Sequence, residues 1–314
     1  MGGSSYDRDV YSGSSYDSWG TSSVSNVKLS RTTLDSSSKP NNKTIKSMTK
    51  NPVVIVLDVT GSNINFAKLV YDKMPMFYGQ LENYLDDFDI AVLAIGDAGM
   101  GDEYPLQVGN FVKGIELDAE MEKMVLESGG GGNKRESYEL AAHYLNECCE
   151  FNKDAEPIVF FIGDEMAYDK VKVSECKSLG LPSGESHDPF PKLIDKVDSN
   201  VFMMLNKYSG SEFNDTITEH WQRRLPSEHT ILINEEKSIV DLMLGVVGLL
   251  NKKRLKTIES DMLARGQTLQ RLSNVRDSLL SLSESTDIMV MDEVKSDGLV
   301  KVKRMTPPTT GTRI

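Results

Sequence analysis

The sequence predicts a doubly wound α/β domain, with a mostly parallel sheet and helices on both faces. Three observations carry this. Residues 53–57, 90–95, 158–162 and 201–205 are short, nearly unbroken apolar runs. Such runs lack the in-out alternation of half-exposed strands and read as strands buried on both sides. Between them, residues 66–84, 136–150 and 237–250 place apolar side chains at helical spacing. Strands alternating with helices imply parallel crossovers. Finally, two of the buried runs end in an aspartate, Asp58 and Asp164. Ligands of doubly wound sheets lie beyond the carboxyl ends of the strands, at a switch point in strand order. The loops after Leu57, Ile95, Ile162 and Leu205 are therefore the ones to examine.

Residues 1–50 are rich in Ser, Gly, Asn and Asp, and repeat Ser-Ser-Tyr-Asp at 4–7 and 14–17. Too little apolar surface is present to offset the entropy of ordering, so a disordered tail is expected. Its spaced tyrosines Tyr6, Tyr11 and Tyr16 are candidate stickers for a partner. Order is expected from Pro52 onward, in a domain spanning 51–250. The helix at 66–84 is expected to break near Pro75. Residues 107–112 predict a short edge strand and 118–127 a short helix with Asp118 near its start. A Gly-rich loop follows at 128–135. The helix at 136–150 gathers Leu140, Ala141, Tyr144, Leu145 and Cys148 on one face. Residues 230–233 predict a further strand, with an apolar helix after it at 237–250.

A helical extension is expected at 251–285. Ile258, Met262, Leu269, Leu272, Val275, Leu279 and Leu282 recur at steps of three or four, as one long amphipathic helix would require. It would pack on its own domain or pair with a partner helix. Residues 286–314 end in Pro307-Pro308-Thr309-Thr310-Gly311 and predict a flexible tail.

The chain has 35 Lys and Arg against 47 Asp and Glu, a net charge of -12. Such a chain repels phosphate backbones, which argues against nucleic-acid binding. Cys148, Cys149 and Cys176 form neither a disulfide framework nor a zinc spacing, and the four histidines are scattered. The N-terminal stretch has no apolar core of a secretion signal. The run at 239–250 is too short for a membrane span and contains Asp241. A cytoplasmic protein without a membrane contact is expected.

The chemistry concentrates at the two strand-end aspartates. If their strands are neighbours, Asp58 and Asp164 converge on one edge of the sheet. Two such carboxylates repel unless a cation lies between them. Thr60 and Ser62, two apart in the loop after Asp58, can turn both hydroxyls to one side. An all-oxygen set of this kind suits Mg²⁺, which prefers hard ligands and keeps waters. Asp97, in the acidic turn after the second strand, shares that edge and is an outer candidate. The alternative reading is that Asp58 and Asp164 merely cap the helices that follow them.

The spacing Asp58-x-Thr60-x-Ser62 after a buried first strand resembles the Asp-x-Ser/Thr-x-Ser motif of von Willebrand factor A domains. That motif opens their metal ion-dependent adhesion site. Asp164 matches the family's aspartate after a later strand. The loop Gly129-Gly130-Gly131-Gly132-Asn133-Lys134-Arg135-Glu136-Ser137 is similar to the Gly-rich Asp-x-Pro-Glu form of part of that family. Asn133 stands at the Asp position, Arg135 replaces Pro, and Glu136 is the candidate fourth ligand. The resemblance covers roughly residues 51–250. It implies a non-enzymatic interaction module in which Asp58, Thr60, Ser62, Glu136 and Asp164 hold Mg²⁺ or Mn²⁺. A protein partner's Asp or Glu carboxylate would complete the coordination.

Two other readings stand beside it. The segment 58–62 is also similar to the nucleophile loop of haloacid dehalogenase-like phosphatases, with Asp58 attacking a phosphoryl group. Asp164, Glu165 and Asp169 would then form the later Mg²⁺-binding acidic motif. Against this, Thr60 occupies the position of the general-acid aspartate, no motif lysine precedes the acidic strand end, and the glycine loop has no role. The last reading is a scaffold whose site has lost its metal.

Overall fold

A computed structural model describes residues 31–127, 129, 132–207 and 212–296, with side chains as far as residue 286. Its centre is a six-stranded sheet: β1 Asn51–Asp58, β2 Phe88–Ile95, β3 Leu106–Val108, β4 Ile158–Gly163, β5 Val201–Asn206 and β6 Thr230–Ile233. The spatial order is β6-β5-β4-β1-β2-β3. All neighbours are parallel except β3, which runs antiparallel to β2.

Central β1 is buried along its whole length. Its side chains alternate between two cores. Val53, Ile55 and Leu57 enter one, and Val54 and Val56 enter the other. Each core is closed by helices, which makes the sheet doubly wound as predicted. On the first face lie α1 (Ile64–Leu81), α2 (Glu116–Met121), α7 (Ile239–Leu250), α8 (Leu255–Ala264) and α9 (Leu269–Ser296). On the second lie α3 (Tyr138–Cys148), α4 (Val173–Leu179), α5 (Phe190–Lys196) and α6 (Asn214–Gln222).

The chain leaves β1 toward β2 and β3, then returns to place β4 on the other side of β1. The switch point therefore lies between the carboxyl ends of β1 and β4. Leu57 is level with Ile162, so Asp58 is level with Gly163 and Asp164 lies one residue beyond. The register alone brings the two aspartates to the same edge.

Several expectations are corrected. Helix α1 runs unbroken through Pro75. The lost backbone bond costs roughly 3 kcal/mol. Burial of Phe66, Tyr71, Met74 and Phe77 on the same helix outweighs it. The edge strand is shorter than predicted and continues only as an isolated bridge between Ile90 and Val112. Helix α2 begins at Glu116, two residues before Asp118.

Composition places residues 31–50 in the tail, but they are fastened to the domain. Leu34 and Ile45 are buried. Ile45–Lys46 pairs in parallel with Cys149–Glu150. The Ser47 and Thr49 hydroxyls donate to the buried Asp89 carboxylate at 2.8 and 2.9 Å. Residues 1–30, including Tyr6, Tyr11 and Tyr16, lie outside the described residues.

The long helix expected at 255–282 is two helices. Gly266, at φ +78°, turns the chain between α8 and α9. The turn lays both helices on the domain, burying Ile258, Met262, Leu272, Val275, Leu279 and Leu282 in the first core. Leu269 is the exception to the predicted stripe, at 75% exposed. Arg265 reaches the fully buried Asp241 of α7 at 2.9 Å, and Arg271 binds Glu235 at 2.7 Å. Ser278 donates to the Leu232 carbonyl at 2.7 Å, which occupies part of the free edge of β6. Helix α9 continues to Ser296, past the predicted start of the tail, and residues 297–314 lie outside the described residues. Among the described residues, no helix is long and apolar enough to cross a membrane. All three cysteines are buried free thiols.

Candidate functional site

Asp58 ends β1 with its side chain fully buried. Oδ1 accepts from the Thr60 backbone N–H at 2.9 Å and from the Thr60 hydroxyl at 2.6 Å. This is the local turn that an aspartate forms with the residue two ahead. Oδ2 accepts from the Tyr138 hydroxyl at 3.1 Å. The Asn63 side chain donates to the Asp58 carbonyl at 2.9 Å, closing the loop on itself. The Gly61 N–H donates to the Gly129 carbonyl at 2.8 Å, which ties that loop to the glycine loop.

Asp164 follows β4 and is 4% exposed. The Ser62 hydroxyl donates to its Oδ1 at a long 3.4 Å. Glu136 belongs to a two-residue strand, Arg135–Glu136, paired in parallel with Met166–Ala167. That pairing carries the carboxylate inward, where it is fully buried. Neither Glu136 oxygen has a hydrogen-bond partner among the described residues.

The electrostatics follow from crowding. Burial is the largest cause raising the Glu136 carboxyl far above the usual range, and the negative Asp58, Glu165 and Asp97 add to it. Burial also raises Asp164, followed by repulsion from Asp58 and Glu165. Asp58 is raised by burial and held back by the donors on Thr60 and Tyr138. Carboxylates gathered this way cannot all ionise unless positive charge is supplied.

Of the predicted residues, Thr60 thus contacts Asp58 and Ser62 contacts Asp164, while Asp58 repels both Asp164 and Glu136 within one electrostatic environment. The donors are three carboxylates and two hydroxyls, which fits Mg²⁺ or Mn²⁺ and offers nothing to a soft metal. The unpartnered Glu136 oxygens fit such an ion. The carboxylates alone do not form a tight cage: among the described residues, no three His, Cys, Asp or Glu side chains gather as a metal cluster.

A second ring holds the loops in place. Asp97 is fully buried. Its Oδ1 accepts from the Gly99 N–H and from the Tyr168 hydroxyl, both at 2.7 Å, and Oδ2 accepts from the Asn133 side chain at 2.9 Å. Gly99 is required there, because a Cβ would meet the Tyr168 hydroxyl at 2.0 Å. Asn133 Oδ1 accepts the Arg135 N–H at 3.0 Å, so Asn133 sets the turn that presents Glu136. Ser137 ties the same turn to the β2 loop, donating to Gly96 and accepting from Ala98, both at 3.0 Å.

Tyr138, Tyr168 and Ser137 are site residues with no motif to mark them. Their one-dimensional signal is slight: aromatic and hydroxyl residues in the first helical turn after the glycine loop, and after β4. Glu139 is likewise unmarked in the sequence, a fully buried acid whose carboxyl burial pushes up to about 8. Asp169, assigned to Mg²⁺ by the phosphatase reading, is 69% exposed and engaged by Arg224 at 2.9 Å.

No family model and no curated protein sequence matches the chain. Among solved structures, the chain is similar to proximal thread matrix protein 1 of the mussel byssus. The identity is 12%, the TM-score is 0.42, and the match covers 67% of this chain and 49% of that one. A form of that protein with a zinc-occupied MIDAS motif matches at 12% identity and TM-score 0.43, over 66% and 49% of the two chains. The pilus adhesin SpaC from Lactobacillus rhamnosus GG matches at 11% identity and TM-score 0.44, over 68% of this chain and 32% of the adhesin. The chain therefore spans about half the length of the mussel protein and about a third of the adhesin. Likenesses this distant add no weight to any functional reading, which rests on the side chains.

Proposed function

We propose that the chain is a non-enzymatic, divalent-cation-dependent interaction module of the von Willebrand factor A type. Asp58, Thr60, Ser62, Glu136 and Asp164 would hold Mg²⁺ or Mn²⁺ directly or through water. The observation that carries this reading is Glu136, whose two buried oxygens have no hydrogen-bond partner among the described residues and lie near two further buried acids. An unpaired buried carboxylate is expensive, and a fold keeps one where something else satisfies it. When bound, the cation would act as a Lewis acid whose remaining coordination position attracts an Asp or Glu carboxylate of a protein partner.

The chain's own residues do the rest. Thr60 fixes Asp58 in orientation, Ser62 bridges toward Asp164, and Asn133 and Ser137 hold the turn that presents Glu136. Attack by Asp58 on a phosphoester is disfavoured, because its side chain has no exposed surface and both oxygens accept hydrogen bonds.

A metal-free scaffold is the second reading. The contacts of Thr60 and Tyr138 with Asp58, and of Ser62 with Asp164, favour it, since they satisfy part of the site without an ion. The two readings separate in a pull-down with Mg²⁺ or with EDTA, using wild type and Asp58→Ala. Capture of a partner that is lost both on chelation and in the variant supports the module. Capture indifferent to both supports the scaffold.

A further inference from the structure

Tyr138 is the first residue of α3, two residues after Glu136, and it is fully buried. Its ring is held edge-on by Trp221, with centroids 5.2 Å apart at 88°, and by Phe161 at 6.3 Å and 65°. Two aromatic walls leave the ring little rotational freedom, so its hydroxyl arrives at Asp58 Oδ2 pre-oriented. The two Asp58 oxygens are thereby assigned different neighbours: Thr60 on Oδ1 and Tyr138 on Oδ2.

The opposite wall of this contact is Gly163, the last residue of β4. Glycine weakens a central strand and asks for a reason. A Cβ there would lie 1.8 Å from the Tyr138 hydroxyl oxygen and 2.8 Å from the Asp58 Cβ. Neither neighbour can yield easily, because Asp58 is on the adjacent central strand and the Tyr138 ring is clamped. Gly163, Tyr138 and Asp58 are therefore one steric unit at the switch point.

We infer that Tyr138 is a positioning residue for the metal site, fixing the Asp58 carboxylate toward the cation, and that Gly163 is glycine to admit its hydroxyl. This rests on the metal-binding reading. Groups that orient metal ligands typically change affinity 10- to 100-fold when removed.

The test is Mn²⁺ titration by calorimetry of the full chain, with Tyr138→Phe and Gly163→Ala. Phenylalanine keeps the ring packing and removes only the hydroxyl. Mn²⁺ affinity is expected to fall about 10- to 100-fold in Tyr138→Phe. Gly163→Ala should show a similar loss, and the double variant little more than either alone. If Gly163→Ala does not fold, Tyr138→Phe decides alone.

Unfolding in EDTA supplies a second readout. The Tyr138→Phe change should raise the unfolding constant about tenfold with Asp58 present, and by less than about threefold in an Asp58→Ala background. Wild-type Mn²⁺ binding with an affinity within twofold in Tyr138→Phe overturns this inference and leaves the metal reading standing. A wild type that takes up no Mn²⁺ overturns the metal reading and, with it, the role of Tyr138 toward the ion.

Discussion

Replacing Glu136 with glutamine should make the metal-free protein more stable and the metal-loaded protein less so. At neutral pH, burial and the nearby acids keep the Glu136 carboxyl protonated in the fold, whereas in the unfolded chain it returns to its ordinary value of 4.5. Folding at pH 7 therefore takes up a proton. Each pH unit above the ordinary value costs about 1.4 kcal/mol, so the site is strained by about 3 kcal/mol at pH 7. The amide is neutral in both states and removes that strain. It remains as poorly hydrogen-bonded as the protonated acid, so the net gain is about 1–3 kcal/mol. For a domain of this size that is an increase of about 2–10 °C in Tm.

The assay is thermal unfolding followed by circular dichroism in EDTA, at pH 7 and near pH 4.5. The gain is expected at pH 7 and should vanish near pH 4.5, where the unfolded glutamate is itself half protonated. Added Mn²⁺ should reverse the order. At a thousandfold excess over Kd the wild type gains about 4.1 kcal/mol, more than the whole advantage of the glutamine variant, which gains little. A glutamine variant no more stable than wild type in EDTA at pH 7, or one whose gain persists unchanged at pH 4.5, would mean that Glu136 is not held protonated by its surroundings.

Two further expectations follow from the same geometry. Glu139 is buried and raised to about 8, so its contribution is present below about 4.5 and is lost as pH rises through 8; in urea titrations in EDTA it adds about 1.4 kcal/mol per pH unit to the fall that Glu136 and Asp164 cause over the same window, and Glu139→Gln should lessen the slope by that amount. Arg265→Ala strands the buried Asp241 carboxylate and should cost about 3–5 kcal/mol in urea unfolding, while the same change in an Asp241→Asn background should cost clearly less.

The sheet was legible because its central strands carry their burial in composition. Residues 53–57 and 158–162 have no polar position to hide, so their strand ends, and hence Asp58 and Asp164, could be located. What escaped depends on partners distant in sequence. Residues 31–50 hold only two buried large apolar side chains, Leu34 and Ile45, and are otherwise fastened by backbone pairing with Cys149–Glu150 and by hydroxyls to Asp89. Composition sees the polar residues and not the bonds. Pro75 breaks an isolated helix, but not one whose buried face is already paid for by the core. Gly266 divides the C-terminal helix in a stretch whose apolar spacing is uninterrupted. In the site, Asn133 occupies the place where the resembled family has an acid, yet its side chain bonds Asp97 and the Arg135 backbone. Tyr138 is invisible for a plainer reason: an aromatic at the start of an amphipathic helix reads as core packing, and only the fold reveals that its hydroxyl ends on Asp58.

A divalent cation held by the carboxylates at the β1 and β4 strand ends should be seen in solution. The measurement is calorimetric titration of the full chain with Mn²⁺ at pH 8, beside Asp164→Asn. One saturable site in the wild type, proton release on binding, and loss of the site in the variant are expected. Absence of a saturable heat in the wild type, or an identical site in Asp164→Asn, would contradict this expectation.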